Sequence, residues 1–412
     1  MLDILNTCSA WLGAGQPFAV ATIVSATGSV PRGVGTAMAV NADGEVVGSL
    51  SGGCVEGAVY NACRETMESA TVRREQFGYS DSDAFAVGLT CGGVLDILIQ
   101  PVYPQGHPGQ QLDLAGLARL AETGQDIPAA IIRRLDGGRL TGVVVLAPQD
   151  FPSTADAGHL EALIQDSTAA HGAAAQIQAM LSTGQTGVLR LSPNRDVCGD
   201  DYISLLVETR LPPPRLLIFG ANDFSAALVR TGKLLGYHVT LCDARQAFTS
   251  AGRYPGADEV VVAQPHRYLE AEAGQDRLDA RTVICVLTHD VKFDIPLLEL
   301  ALTLPVQYVG AMGSRRSHAQ RVESLQALGV DEEQLSRLHS PIGLDLGAVT
   351  PEEVAVSIMA EIIAGRNQHR TAQPLSRSTG PIHPEAVHPE AVHPARNPSE
   401  PPISQSGVSS WI

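Results

Sequence analysis

Residues Ser49-Leu50-Ser51-Gly52-Gly53-Cys54-Val55-Glu56 set a cysteine directly after two glycines, where a strand-like segment gives way to a helix-like one starting at about Cys54. Backbone amides at a helix start lack intrahelical partners, so this turn is expected to form an anion site. Gly52 and Gly53 would let a ligand approach the backbone closely. A thiol here feels the positive end of the helix dipole, which enriches the thiolate. Thiolate is the form that attacks sulfur and ligates soft metals. The alternative for Cys54 is a small residue filling a tight turn. Glu56 falls in the first helical turn, where a carboxylate complements the dipole. Cys63, about two and a half turns further on, reads as core.

Two more glycine-rich pieces accompany this one. Thr90-Cys91-Gly92-Gly93 precedes the strand-like GVLDILIQPV. If the flanking strands are neighbours, Cys91 lies near Cys54; otherwise it is an incidental cysteine in a turn. In Ala26–Thr36, residues Ser29, Arg32 and Thr36 have the chemistry to hold a phosphate, Arg32 by a bidentate contact. A plain hairpin loop is the competing reading.

The second half carries a different set. In LLIFGANDFSAAL, Gly220 fits the first position of a G-x-G-x-x-G fingerprint, with Asn222 and Ser225 in place of the second and third glycines. Asn tolerates positive φ and Ser is small, so the turn can form, but the glycine that lets a pyrophosphate approach is gone. Asp243 ends the next strand, where a ribose-binding acid belongs, and Arg245 follows it. His289 follows another strong strand, RTVICVL, in position to bind or to move protons. Gly310-Ala311-Met312-Gly313-Ser314-Arg315-Arg316 reads as a phosphate grip at a helix start, Arg315 being its first arginine. His339–Gly347 reads as a glycine-rich binding loop.

The elements that must position these residues fall into two patterns. FAVATIVSATGS, GTAMAVNADGEVVGSL, GVLDILIQPVY, AAIIRRLDGGRLTGVVVLA, QTGVLRLS and ISLLVETRL are strand-like, and CVEGAVYNACRETMESA is helical. The hairpin turns are Asn41–Gly44 and Asp136-Gly137-Gly138. This half reads as α+β with mixed or antiparallel strands, and the segment from about 105 to 128 as loop and helix. After Pro212-Pro213-Pro214, strands and helices alternate, which predicts a Rossmann-like, doubly wound parallel sheet. Thr350-Pro351-Glu352-Glu353 is a capping box opening the last helix. The expected division is 1–211, 215–366 and a disordered tail, 367–412, in which His383, His388 and His393 recur at five-residue spacing. The class is α/β overall.

Composition bounds the function. The 412 residues carry 28 basic and 44 acidic side chains, a formal charge of −16, which argues against non-specific nucleic-acid binding and against docking on an anionic membrane. The seven cysteines are scattered without a CxxC, so neither a disulfide framework nor a zinc site is expected. No apolar run reaches the ~18 residues of a membrane span, and no export signal is legible. The expected setting is the reducing cytoplasm.

GSVPRGVGTAMAV, GSLSGGCVEGAVY and TCGGVLDILIQPV, with IFGANDFSAAL, CDARQAF, LTHDVKFDIPLLELAL, YVGAMGSRRSHAQRVESLQALG and HSPIGLDLGAVTPEEVAVSIMAEI, resemble the XdhC/CoxI family of molybdenum hydroxylase accessory factors, including xanthine dehydrogenase accessory proteins. The match spans about residues 10–104 and 215–365, and SGGCVE, GAMGSRR and HSPIGLDLGA are its most specific parts. The resemblance implies a maturation factor that binds molybdenum cofactor (molybdopterin) and supports its sulfuration with a cysteine desulfurase. Such a factor then hands the cofactor to a hydroxylase apo-enzyme of the xanthine or carbon monoxide dehydrogenase type. It implies Cys54 as the first cofactor or molybdenum ligand and Cys91 as the second. It also implies a carrier without turnover, and leaves a homo-oligomer open. Two alternatives stand beside it. One is an NAD(P)-dependent oxidoreductase using Asp243 and His289. The other is a scaffold joining desulfurase to hydroxylase.

Overall fold

A computed structural model of the chain describes residues 1–78, 93–108, 110–124, 126–136, 140–146, 154–191, 202–366 and 372–377. It divides into two compact units, Met1–Leu211 and the described part of Pro212–Thr379. Among the described residues no helix is long and apolar enough to cross a membrane.

The first unit contains strands β1 (Phe18–Thr27), β2 (Ala37–Asn41), β3 (Val46–Gly48), β4 (Arg73–Phe77), β5 (Val94–Val102), β6 (Gln110–Leu112), β7 (Ala129–Arg134), β8 (Leu140–Leu146), β9 (Gly187–Leu191) and β10 (Ile203–Arg210). Its helices are α1 (Leu5–Gly13), α2 (Glu56–Ser69), α3 (Leu114–Glu122), α4 (Thr154–Ile164) and α5 (Ser167–Thr183). One sheet, in the order β3-β2-β1-β5-β4, is wholly antiparallel. The other, β6-β8-β7-β10-β9, is antiparallel except for the parallel β6–β8 pair.

Alternation along the strands sets the layers. Ala19, Ala21 and Ile23 of β1, with Ile97 and Ile99 of β5, face α2, which answers with Val59, Ala62 and Cys63. This i, i+3, i+4 stripe explains why the segment folds as an amphipathic helix on the sheet. Phe18 and Val20 face the other way, against Ala129, Ile131 and Val144 of the second sheet. That sheet's far side, with Ala130, Leu205 and Val207, is covered by α4 and α5. Strand β1 is therefore buried on both faces, and its near-continuous apolar run follows from that. Between the sheets lies one polar knot. Arg133 donates to Glu208 at 2.6 Å, Thr22 at 2.9 Å and Gln100 at 2.9 Å, so two strands of each sheet meet at a single guanidinium. The segment after 105 adds β6 as well as α3, a strand beyond the expected loop and helix.

The second unit has strands β11 (Arg215–Phe219), β12 (His238–Asp243), β13 (Glu259–Val262), β14 (Val283–Val286), β15 (Tyr308–Ala311) and β16 (Leu338–His339). Its helices are α6 (Asp223–Leu234), α7 (Pro265–Gly274), α8 (Val291–Ala301), α9 (Arg315–Ala327), α10 (Glu332–Ser336) and α11 (Pro351–Arg366). All pairs in the sheet are parallel, in the order β13-β12-β11-β14-β15-β16. Renumbered within the unit this is 3-2-1-4-5-6, the doubly wound order whose ligand crevice opens where the strand order reverses. α6 and α11 cover one face, and α7, α8 and α9 the other. The expected capping box of α11 is present, with Glu353 accepting from the Thr350 amide at 3.0 Å and the Glu353 amide donating to the Thr350 hydroxyl at 3.3 Å.

Candidate functional site

Three loops leave one end of the antiparallel sheet β3-β2-β1-β5-β4. Thr27 pairs with Val94, so the loop after β1 and the turn before β5 are neighbours. Gly93 packs so closely on the Ser29-Val30 backbone that a Cβ there would lie 2.5 Å from the Ser29 carbonyl oxygen and 2.4 Å from Val30 Cγ1. The third loop, 49–55, follows β3. Val30 and Cys54 both pack on the same core, beside Leu50 and Val55. The structure thus brings Ser29 and the Gly52-Gly53-Cys54 turn to one end of the sheet. Arg32 is exposed in the loop after β1. Cys91 lies outside the described residues, as do His383, His388 and His393 of the tail.

The turn differs from expectation at its amides, which are not left unpaired. Glu56 folds back and fills the anion hole itself. Its carboxylate accepts from the Ser49 hydroxyl at 2.7 Å, the Ser51 hydroxyl at 2.6 Å, and the amides of Ser51 at 2.8 Å, Gly52 at 3.0 Å and Gly53 at 2.8 Å. Burial alone would raise its pKa, but the hydrogen bonds from Ser51 and Ser49 outweigh it and hold the carboxyl far below the usual range. Glu56 does more than complement a dipole: it is the ligand around which the loop is wound. The helix also starts later than expected, at Glu56 with Val55 as its N-cap. Cys54 therefore sits in the turn, its amide donating to the Ser51 hydroxyl at 2.9 Å, with its side chain half-buried. Gly52 and Gly53 take φ of 79° and 123°, and a Cβ on either would meet nothing within 4 Å. The surface over this turn is open backbone. Cys63 is core, and burial pushes its thiol up to about 12.

In the second unit a cleft of about 550 Å³ opens at the strand-order reversal, lined by Asn222, Asp243, Arg245, Phe248, Thr288 and His289 among others. Gly220 serves the fold here. With φ of 111°, it lets the turn after β11 approach β14, where a Cβ would come within 2.8 Å of the Thr288 amide nitrogen. Asn222 caps α6 by accepting from the Ser225 amide at 3.0 Å, and its Nδ2 donates to the Leu287 carbonyl at 2.9 Å. It thereby bridges the very crevice that a glycine would leave open. Asp243 is buried and already engaged. Its oxygens accept from the Ala221 amide at 2.7 Å, the Arg245 amide at 2.8 Å and both ends of the Arg245 fork at 3.0 and 2.8 Å. Burial opposes ionisation, but the Arg245 guanidinium and the Ala221 amide prevail and hold its carboxyl low. Arg245 also stacks over Phe248, 4.7 Å from the ring centroid. His289 is exposed at the cleft. Arg315 is exposed as the first residue of α9, beyond the end of β15.

Sequence reasoning missed a buried chain behind this edge. The Thr288 hydroxyl donates to Asp294, and Arg321 Nη2 donates to the other Asp294 oxygen at 2.9 Å. It also missed Glu361, which accepts from Tyr308 and the Gly343 amide and lies 3.1 Å from His339 Nδ1, whose ring stacks on Tyr308 at 4.4 Å. The sequence signal for the second cluster lay in the HSPIGLDLG loop. The first joins residues from two helices and had none.

Comparison with known proteins follows the same two halves. Residues 11–78 match the XdhC and CoxI family, and residues 216–362 match the XdhC Rossmann domain. A Bacillus subtilis protein, described as a probable subunit of xanthine dehydrogenase, is 26% identical over 85% of this chain and 93% of its own length. The molybdenum cofactor insertion chaperone PaoD of Escherichia coli is 23% identical over 86% of this chain and 85% of its own. A crystal structure described as a xanthine dehydrogenase from Bacillus halodurans shares the fold, with a TM-score of 0.62 and 23% identity over 91% of this chain and 98% of that one. With its two halves matched in order, and relatives aligned along most of its length, the chain belongs to the XdhC and CoxI family.

Proposed function

We propose that this protein carries molybdenum cofactor and inserts it into a molybdenum hydroxylase, acting as a maturation factor in the cytoplasm. The observation that carries this reading is the open turn at Gly52-Gly53-Cys54 beside the Ser29 and Arg32 loop. It offers a half-buried thiol and bare glycine backbone at one end of the sheet, and the exposed Arg32 sits in a loop that leaves the same end. That donor set suits a phosphate-bearing pterin with a thiophilic metal. Cys54 would ligate the metal or carry persulfide sulfur supplied by a cysteine desulfurase. Arg32 and Ser29 would take the phosphate. Glu56 fixes the turn that presents Cys54, and a cofactor anion reaching the amides of Gly52 and Gly53 must first displace its carboxylate. The names of two relatives, one a cofactor insertion chaperone and the other part of a xanthine dehydrogenase, support a hydroxylase as the client.

The test is cofactor content. Wild type and Cys54→Ala are expressed in cells that make the cofactor, purified without oxygen, and assayed for molybdenum and oxidised pterin. Near-stoichiometric cofactor in the wild type and little in the variant is the expected result. Cofactor in both moves the ligand away from Cys54. None in either, from folded protein, removes the carrier reading.

A further inference from the structure

We propose that the second unit holds a phosphoryl-binding site at the start of α9, with Arg321 as its floor. The site is independent of what the first unit carries. The Arg321 side chain is only 7% exposed, and no catalytic or cofactor role has so far used it. Its Nη2 is spent on Asp294, whose other oxygen takes the Thr288 hydroxyl, so the guanidinium is locked in orientation. Its Nη1 is buried and has no hydrogen-bond partner among the described residues. An unmatched donor on a buried cation is costly, so Nη1 calls for a partner that the described residues do not supply.

The surroundings indicate what that is. Nη1 lies 2.9 Å from the point where a Cβ on Gly313 would sit, and Ser317 Oγ lies 3.5 Å from the same point. Glycine, here at φ 155°, spares Nη1 the close contact that a side chain at 313 would make. Ser314 caps α9, its hydroxyl accepting from the Ser317 amide at 3.1 Å and lying 3.0 Å from the Ser317 hydroxyl. The 13-residue helix has no acid in its first turn and opens instead with the exposed Arg315 and Arg316. Cations at a helix N-terminus oppose the dipole, so their presence here adds to a positive end rather than balancing it. Helix-start amides, a hydroxyl, a fixed guanidinium donor and two exposed arginines match a tetrahedral dianion. Thr288 lines the cleft and touches Asp294, so the phosphoryl group can belong to a nucleotide in that cleft or to a free phosphate.

Titration calorimetry of the full chain with inorganic phosphate, pyrophosphate and ADP tests this. Saturable binding of at least one is expected, weakened about tenfold or more by Arg321→Lys, which keeps the charge facing Asp294 but loses the fork, and by Gly313→Ala. The exposed pair Arg315→Ala/Arg316→Ala should also weaken it, and decides the matter if the buried variants do not fold. ADP binding at least tenfold tighter than pyrophosphate assigns the phosphoryl group to a nucleotide, and equal binding to free phosphate. No saturable binding at millimolar ligand, or binding unchanged in every folded variant, overturns the proposal.

Discussion

Ser51 grips both oxygens of the Glu56 carboxylate, its amide reaching Oε1 at 2.8 Å and its hydroxyl reaching Oε2 at 2.6 Å. With the amides of Gly52 and Gly53 added, the loop that presents Cys54 is organised around one internal anion. Protonating that anion should loosen the loop. The folded pKa is depressed from the ordinary 4.5, so the stabilisation is fully present above that value and is lost as pH falls below it. Glu56→Gln should cost about 1–3 kcal/mol at neutral pH. It should also flatten the loss of stability on acidification below pH ~4.5 that the wild type shows. Urea unfolding of both proteins from pH 7 to 3 checks this, and parallel curves would show that the carboxylate contributes nothing.

The remaining described cysteines should be inert. Cys8, Cys63 and Cys242 are buried, with thiols pushed up to about 12, and Cys285 is fully buried and raised as well. Thiolate is the reactive form, so its population at neutral pH is negligible at these sites. Maleimide labelling read by mass spectrometry should leave all four unmodified in the native protein and modify all four in urea. Native labelling at any of them would mean that its surroundings open readily.

What could be read in advance follows a physical divide. Parallel strands buried on both faces appear as unbroken apolar runs, so LLIF, VICV and YVGA announced the sheet of the second unit. Pro351 and Thr350 likewise marked a helix start by local chemistry. Helix α5 was not legible, because its core stripe of Ala170, Ala173, Ile177 and Leu181 is set among other alanines that dilute the period. At the site, the glycines and Cys54 marked the turn correctly. The occupant of the turn did not show, because a first-turn glutamate has two places to put its carboxylate, toward solvent or back over the loop. Ser49 and Ser51, flanking the turn, were the available hint. Arg321 and Asp294 meet across 27 residues of chain on different helices, and no spacing rule reaches that far.

The knot between the sheets of the first unit should dominate its stability. Arg133 and Glu208 are both nearly inaccessible, with side chains 1% and 3% exposed. Glu208 also takes the Met1 ammonium, so removing Glu208 strands two buried cations, whereas removing Arg133 leaves Glu208 with one partner. Glu208→Ala should cost about 3–5 kcal/mol, Arg133→Ala less because Glu208 keeps the Met1 ammonium, and the double variant less than the sum. Denaturant unfolding of the three proteins measures the coupling. Additive losses would mean that water already reaches the pair.

The cleft of the second unit should refuse nicotinamide dinucleotides, because its fingerprint residues are already committed. Such a ligand would need the acid after β12 for its ribose hydroxyls and bare backbone at the turn after β11. Asp243 instead spends its oxygens on Arg245 and the Ala221 amide, and Asn222 ties the turn to the Leu287 carbonyl. Wild-type protein should therefore give no thermal stabilisation with millimolar NADH or NADPH. Arg245→Ala should release one side of Asp243, and Asn222→Gly should reopen the crevice. The double variant should then be more responsive to NADH than either single one, since both obstacles must go. A strong NADH or NADPH response in the wild type would mean that Arg245 and Asn222 are displaced by ligand. The oxidoreductase alternative would then regain the ground that this geometry takes from it.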